Sequence, residues 1–145
     1  MKYLRVTASP DPELVPELYT TVTQSGPITE LRVVDWNLAT TDSGTLLYAI
    51  DGDAVAFRTA ATDTDGVDRV EIAAMNAPVS YALIDARPNA LPFFETMVTA
   101  IARTGMILRK PLVYRQHQSH GHVVGHPEPL QSMFDDIADS LEIQV

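Results

Sequence analysis

Four histidines fall within ten residues, His117, His120, His122 and His126. Imidazole is the side chain best suited to metal or proton chemistry near neutral pH. On a strand, His120 and His122 share a face, and His117 can approach them from across a hairpin. Three converging imidazoles would suit zinc or another borderline metal. The competing account is a solvated hairpin tip, Gln116-His117-Gln118-Ser119-His120-Gly121, with no carboxylate or cysteine to complete a ligand set. That account predicts a protein without cofactor or stoichiometric metal. A second constellation is Asp35-Trp36-Asn37, which holds the only tryptophan. An acid, an indole and an amide at a strand end could bind a small ligand. The plainer alternative packs Trp36 on a sheet and uses Asp35 or Asn37 to tie the following loop.

Other chemistry finds little support. The chain has no cysteine, which removes thiol nucleophiles, disulfides and cysteine-ligated zinc. No phosphate-cradling glycine loop, Gly-x-Ser-x-Gly elbow or His-Glu-x-x-His helix occurs. The seven serines have no base at a suggestive spacing. Asp51/Asp53 and Asp135/Asp136 read as a helix cap and a solvated face. The expectation is a binding or regulatory domain and not an enzyme.

Bulk composition narrows the setting. Nineteen acidic residues face ten basic ones, of which only Lys2 and Lys110 are lysines, and Asp outnumbers Glu twelve to seven. Short carboxylates with few long alkyl stems keep a surface hydrated in concentrated salt, so the composition reads as salt-adapted. Screening at molar salt acts over about 3 Å, so the net charge of −9 says little there about partners. In dilute buffer it argues against nucleic acid. With 145 residues and 46% apolar content, one domain with a real core is expected. Apolar runs such as Leu46–Ile50 are too short to span a bilayer, and Met1–Thr7 reads as a strand, not a signal segment. A soluble cytoplasmic protein without membrane contact follows.

The elements that must position these residues alternate in a repeated order. Tyr3–Ala8 alternates as a strand. Asp11 and Pro12 open a helix running to about Gln24, with Leu14, Leu18 and Val22 on one stripe and Gly26-Pro27 at its end. Thr29–Leu38 and Thr45–Asp51 form a hairpin through Thr41-Asp42-Ser43-Gly44. Gly52-Asp53 cap a helix over Ala54–Ala61, and Asp63-Thr64-Asp65-Gly66 turn into the strand Val67–Ala74. The second half repeats this order. Val79–Ala86 is a strand, followed by a helix with Phe94, Met97, Val98 and Ile101 that ends at Gly105. Ile107–Gln116 and His120–Val124 form a hairpin, a helix carries Leu130, Met133, Phe134 and Ile137, and Leu141-Glu142-Ile143 closes the chain. Tyr3/Tyr81, Ala8/Ala86 and Pro10/Pro88 share an offset of 78. The expected fold is α+β: tandem ferredoxin-like, two β-α-β-β-α-β repeats with antiparallel sheets, divided into halves 1–76 and 77–145. Leu46–Ile50 and Met106–Leu108 are apolar on both faces, so the second face is expected to pack on the other half and on a second chain.

The residues Lys2–Thr7, Val34-Asp35-Trp36-Asn37-Leu38, Leu46–Asp53 with Phe57, and Pro111–Arg115 together resemble the N-terminal domain of haloarchaeal bacterio-opsin-activator-like (Bat-like) transcription regulators. These motifs are packing signatures, and the resemblance covers the whole chain. It implies a sensory and oligomerising domain whose DNA contact comes only through a C-terminal helix-turn-helix module, beginning about where this sequence stops. It also implies a homodimer with a small ligand or protein partner as the signal. The alternative is a stand-alone ACT-like module binding a small metabolite. A dimeric ferredoxin-like barrel enzyme with a histidine site ranks third.

Overall fold

The computed structural model describes residues 1–10, 18, 28–38, 42–73, 78–87, 90, 102–116, 118–137 and 141–144. Among these residues eight strands are present: β1 Lys2–Pro10, β2 Ile28–Asn37, β3 Gly44–Gly52, β4 Val67–Ala73, β5 Val79–Ala86, β6 Met106–Arg115, β7 Gln118–Gly125 and β8 Leu141–Gln144. Among the described residues two complete helices accompany them, α1 Ala54–Asp63 and α2 Pro127–Ile137. The expected helices over Asp11–Gln24 and around Phe94–Ile101 lie outside the described residues.

All eight strands belong to one antiparallel sheet in the order β4-β5-β3-β2-β6-β7-β1-β8. This corrects the tandem ferredoxin-like expectation. The halves 1–76 and 77–145 do not each close a sheet of their own. Instead β1 inserts between β7 and β8, and β5 inserts between β3 and β4. The reason is physical: an alternating strand specifies which face it buries but not which neighbour it pairs with. Nor do the halves cover each other face to face. They meet edge to edge through β2 and β6, where Leu31, Arg32 and Val33 oppose Tyr114, Val113 and Leu112.

One face of the sheet holds the core. Paired residues in an antiparallel sheet point to the same side, so the register links Val33 to Leu112 and Leu108 to Val123 on a single face. Leu31, Val33, Leu46, Tyr48, Ile50, Ala82 and Ile84 pack there with Phe57 and Ala61 of α1. The rings of Tyr48 and Phe57 lie 5.5 Å apart. Each is fully buried, which places them among the side chains that contribute most to stability. Leu18 joins this cluster. A smaller cluster joins Ala8, Met106 and Val123 to Leu130 and Met133 of α2. Asp53 starts α1 as expected: its Oδ1 accepts the Val55 N–H at 2.9 Å and the Ala56 N–H at 3.2 Å. That satisfies donors a helix start leaves unpaired.

The opposite face is open. Tyr3 and Ile107 are each 63% exposed and Tyr81 and Leu83 each 43%, whereas in Leu46–Ile50 even Ala49, on this face, is buried. Among the described residues, no helix is long and apolar enough to cross a membrane.

Candidate functional site

Strand alternation on β1, β6 and β7 sends Tyr3, Arg5 and Thr7, then Ile107 and Arg109, then His120 and His122 to the open face. The register aligns them in rows: Arg109, His122 and Arg5 lie side by side, and Val113, His120 and Thr7 form the next row. Between Arg109 and Val113 the pairing of β6 with β7 shifts, and this irregularity hollows the face. The result is a half-open cleft of about 410 Å³, lined by Arg5, Thr7, Arg115, His120 and His122 with Pro111 and Val113 as its apolar part. That volume lies within the ordinary range for small-molecule sites.

The cleft is cationic. Arg5, Arg32, Arg109 and Arg115 are four of the chain's eight arginines, and all four stand on this face in or beside it. Arg115 lies 3.3 Å from Glu30, and Arg32 Nε lies 3.6 Å from the same carboxylate. Among the described residues Arg5 and Arg109 make no ion pair. His122 stacks on Tyr3 with ring centroids 5.5 Å apart. The Thr7 hydroxyl lies 3.2 Å from His120 Nδ1. With that hydroxyl donating, neutral His120 carries its proton on Nε2 and keeps a donor there. Desolvation holds the His120 pKa below the usual imidazole range. The charges of Arg115 and Arg5 push the same way, against Glu30. The imidazole and both guanidinium groups therefore sit in one positive field.

Two of the four histidines are thus brought together on the sheet. His120 and His122 share a face, His126 is exposed just ahead of α2, and His117 lies outside the described residues. No group of three histidine or carboxylate side chains able to hold a metal is found among the described residues.

Asp35, Trp36 and Asn37 do end β2. The exposed Asp35 carboxylate accepts the Trp36 N–H at 2.8 Å and pairs with Lys110. That hydrogen bond from Lys110, then the Trp36 N–H and the Lys110 charge, hold the Asp35 pKa below the ordinary carboxylate value. Trp36 packs against the main core, and Lys110 Nζ stands 4.8 Å above its ring, a cation–π contact. This cluster satisfies itself and leaves its charges paired.

Reading the sequence missed the arginines. Arg5 lies a hundred residues before Arg109 and Arg115, and the three form no basic run, so only strand pairing gathers them. The detectable signal was their alternation with apolar residues on strands, in a chain otherwise poor in cations.

No curated protein matches the chain. The sequence model of a haloarchaeal family described as HVO_0513_N, N-terminal, matches residues 17–145, nearly the whole length. That agrees with the salt-adapted composition. This chain belongs to that family of haloarchaeal N-terminal domains.

Proposed function

We propose that this domain is the signal-sensing and oligomerising part of a cytoplasmic transcription regulator of the Bat-like kind, and that it is not an enzyme. The observation that carries the reading is the family itself. It is described as N-terminal, which supports a domain acting together with a further module. DNA binding is assigned to a helix-turn-helix module outside residues 1–145. The open sheet face supports a binding role. It offers a cationic cleft for a small ligand and, on β3 and β5, an apolar area with Leu47, Tyr81 and Leu83 for a second copy. Contiguous exposed apolar surface often marks such contacts, and paired chains suit regulators that read paired half-sites.

The cleft also supports a second reading, a stand-alone metabolite-binding module that acts without DNA. One experiment separates the two. The natural gene is tagged at its locus, the cells are crosslinked, and the DNA recovered with the protein is sequenced beside transcript profiles of a deletion strain. Discrete promoter peaks with matching transcript changes are expected. Uniform DNA background with an unchanged transcriptome would overturn the regulator reading and favour the stand-alone module.

A further inference from the structure

We propose that the cleft between β1, β6 and β7 binds a small organic dianion, a phosphate monoester or a dicarboxylate. This deepens the sensory reading above by naming the chemistry of what is sensed. The first support is convergence against composition. A chain of net charge −9 gathers half its arginines within the four adjoining strands β2, β6, β7 and β1 and opposes them locally with Glu30. Like charges so placed repel one another, and an exposed face has no structural need for them. A bound anion offsets the repulsion and occupies the planar guanidinium forks, which match carboxylate and phosphate oxygens in bidentate geometry.

The second support is internal to the fold. The strand order reads the same from both ends when β1–β4 exchange with β5–β8, so the cleft residues Arg5, Thr7, His120 and His122 have counterparts in Leu83, Asp85, Thr45 and Leu47. The row Arg109–His122–Arg5 corresponds to Asp35–Leu47–Leu83. The same sheet geometry is therefore satisfied by an acid and two leucines. The cationic row is not required by the fold, and its chemistry answers to something outside it.

The third support is the shape and equipment of the site. Arg5 and Arg115 flank a concavity that also holds the Thr7 hydroxyl and both imidazoles. Two guanidinium groups match two negative charges. Val113 and Pro111 offer apolar contact to an organic body. The volume of about 410 Å³ suits a metabolite and leaves a polymer mostly outside. The lowered His120 pKa accords with this field, since an arriving anion would stabilise the imidazolium.

The test is a backbone-amide NMR titration of the full chain at fixed molar KCl. The probes are glycerol 3-phosphate, succinate, acetate and a ten-nucleotide single strand. Saturable shifts are expected at Arg5, Thr7, His120 and His122 with one or both dianions, and the stronger of the two identifies the class. Acetate should produce much weaker shifts at the same concentration. Arg5→Leu installs the residue found at the equivalent position, Leu83, and should weaken binding about tenfold to a hundredfold, the range for losing a charge-assisted contact. His122→Leu, matching Leu47, serves if Arg5→Leu misfolds, and Arg69→Leu on β4 should leave binding unchanged. Three results would each overturn the proposal: dianion shifts no larger than those of acetate, shifts that survive both leucine variants, or saturation by the oligonucleotide alone. Because only binding is read, such a failure would leave the promoter experiment free to uphold or reject the regulator reading.

Discussion

The two halves of the open face occupy equivalent places in one sheet and carry opposed chemistry. On β2, β3 and β5 the rows are Arg32–Ala49–Tyr81, Asp35–Leu47–Leu83 and Asn37–Thr45–Asp85. On β6, β7 and β1 the first two counterparts are Ile107–Val124–Tyr3 and Arg109–His122–Arg5, and the third joins Val113, His120 and Thr7. Each half keeps an exposed tyrosine in the first row and a threonine hydrogen bond in the third. Thr45 donates to Asp85 at 2.8 Å in one half, and Thr7 meets His120 at 3.2 Å in the other. The middle row differs entirely: two leucines beside a paired acid face two arginines beside an imidazole. What both halves retain is what the sheet needs, a cross-strand pair at each edge of the row. The varied row is apolar on one side and cationic on the other, and it is the row to which the proposal assigns binding.

The buried face differs as well, and there the contrast predicts the largest effects. Phe57 is fully enclosed by the larger cluster, so Phe57→Ala should cost about 3–5 kcal/mol. Met133→Ala, in the smaller cluster under α2, should cost about 2–3 kcal/mol, near the lower end for such truncations. Urea unfolding at constant salt reads both. Equal losses would mean that the two clusters contribute alike.

A smaller effect sharpens the comparison at one glycine. Gly125 occupies the place that Ile50 holds on β3. Ile50 is fully buried without difficulty. A Cβ on Gly125, however, would approach Gly105 O to 2.7 Å and Met106 Cβ to 2.8 Å. Gly125→Ala should therefore destabilise by about 1–3 kcal/mol, the scale of overpacking, whereas Ile50→Val should cost about 1 kcal/mol. Thermal melts of the two variants check the order.

These contrasts separate what a single sequence exposes from what it conceals. The strand Val79–Ala86 has the limits its alternation indicates, Asp53 caps α1, and a period of two places His120 and His122 on one face. Faces are local information. Partners are not: β1 alternates in the same way whether it pairs beside its own half or beside β7 and β8, so the single shared sheet stayed hidden. For the same reason Arg5, Arg109 and Arg115 looked scattered. The self-satisfied Asp35–Lys110–Trp36 cluster was half legible, since the tie from Asp35 to its own chain is short-range and the cation from β6 is not.

The apolar half should pair chains. Light scattering in molar KCl is expected to give a dimer at tens of micromolar, and Leu83→Asp should shift it to monomer by placing a charge among Leu47 and Tyr81. A wild-type monomer at that concentration would contradict the pairing.

The pH response of the cationic half is smaller. The folded pKa of His120 is lowered, so the unfolded chain takes up its proton first as pH falls. The stability it contributes is present above the ordinary imidazole value and is lost as pH drops through that value towards the folded one. Urea midpoints between about pH 7 and pH 5 should fall less steeply in His120→Thr, which carries the residue of the equivalent position, Thr45. Parallel slopes would remove His120 from the account.

The central claim is that the middle row, with Arg115 beside it, makes this half the one that seeks an anion. Calorimetric titration with glycerol 3-phosphate and succinate should compare the wild-type chain with the triple variant Arg5→Leu, Arg109→Asp, His122→Leu, which copies Asp35, Leu47 and Leu83 into the cleft. The account predicts a folded protein whose dianion binding has fallen at least about a hundredfold, as expected when several charge-assisted contacts are lost together. Undiminished binding by the folded triple variant would contradict it.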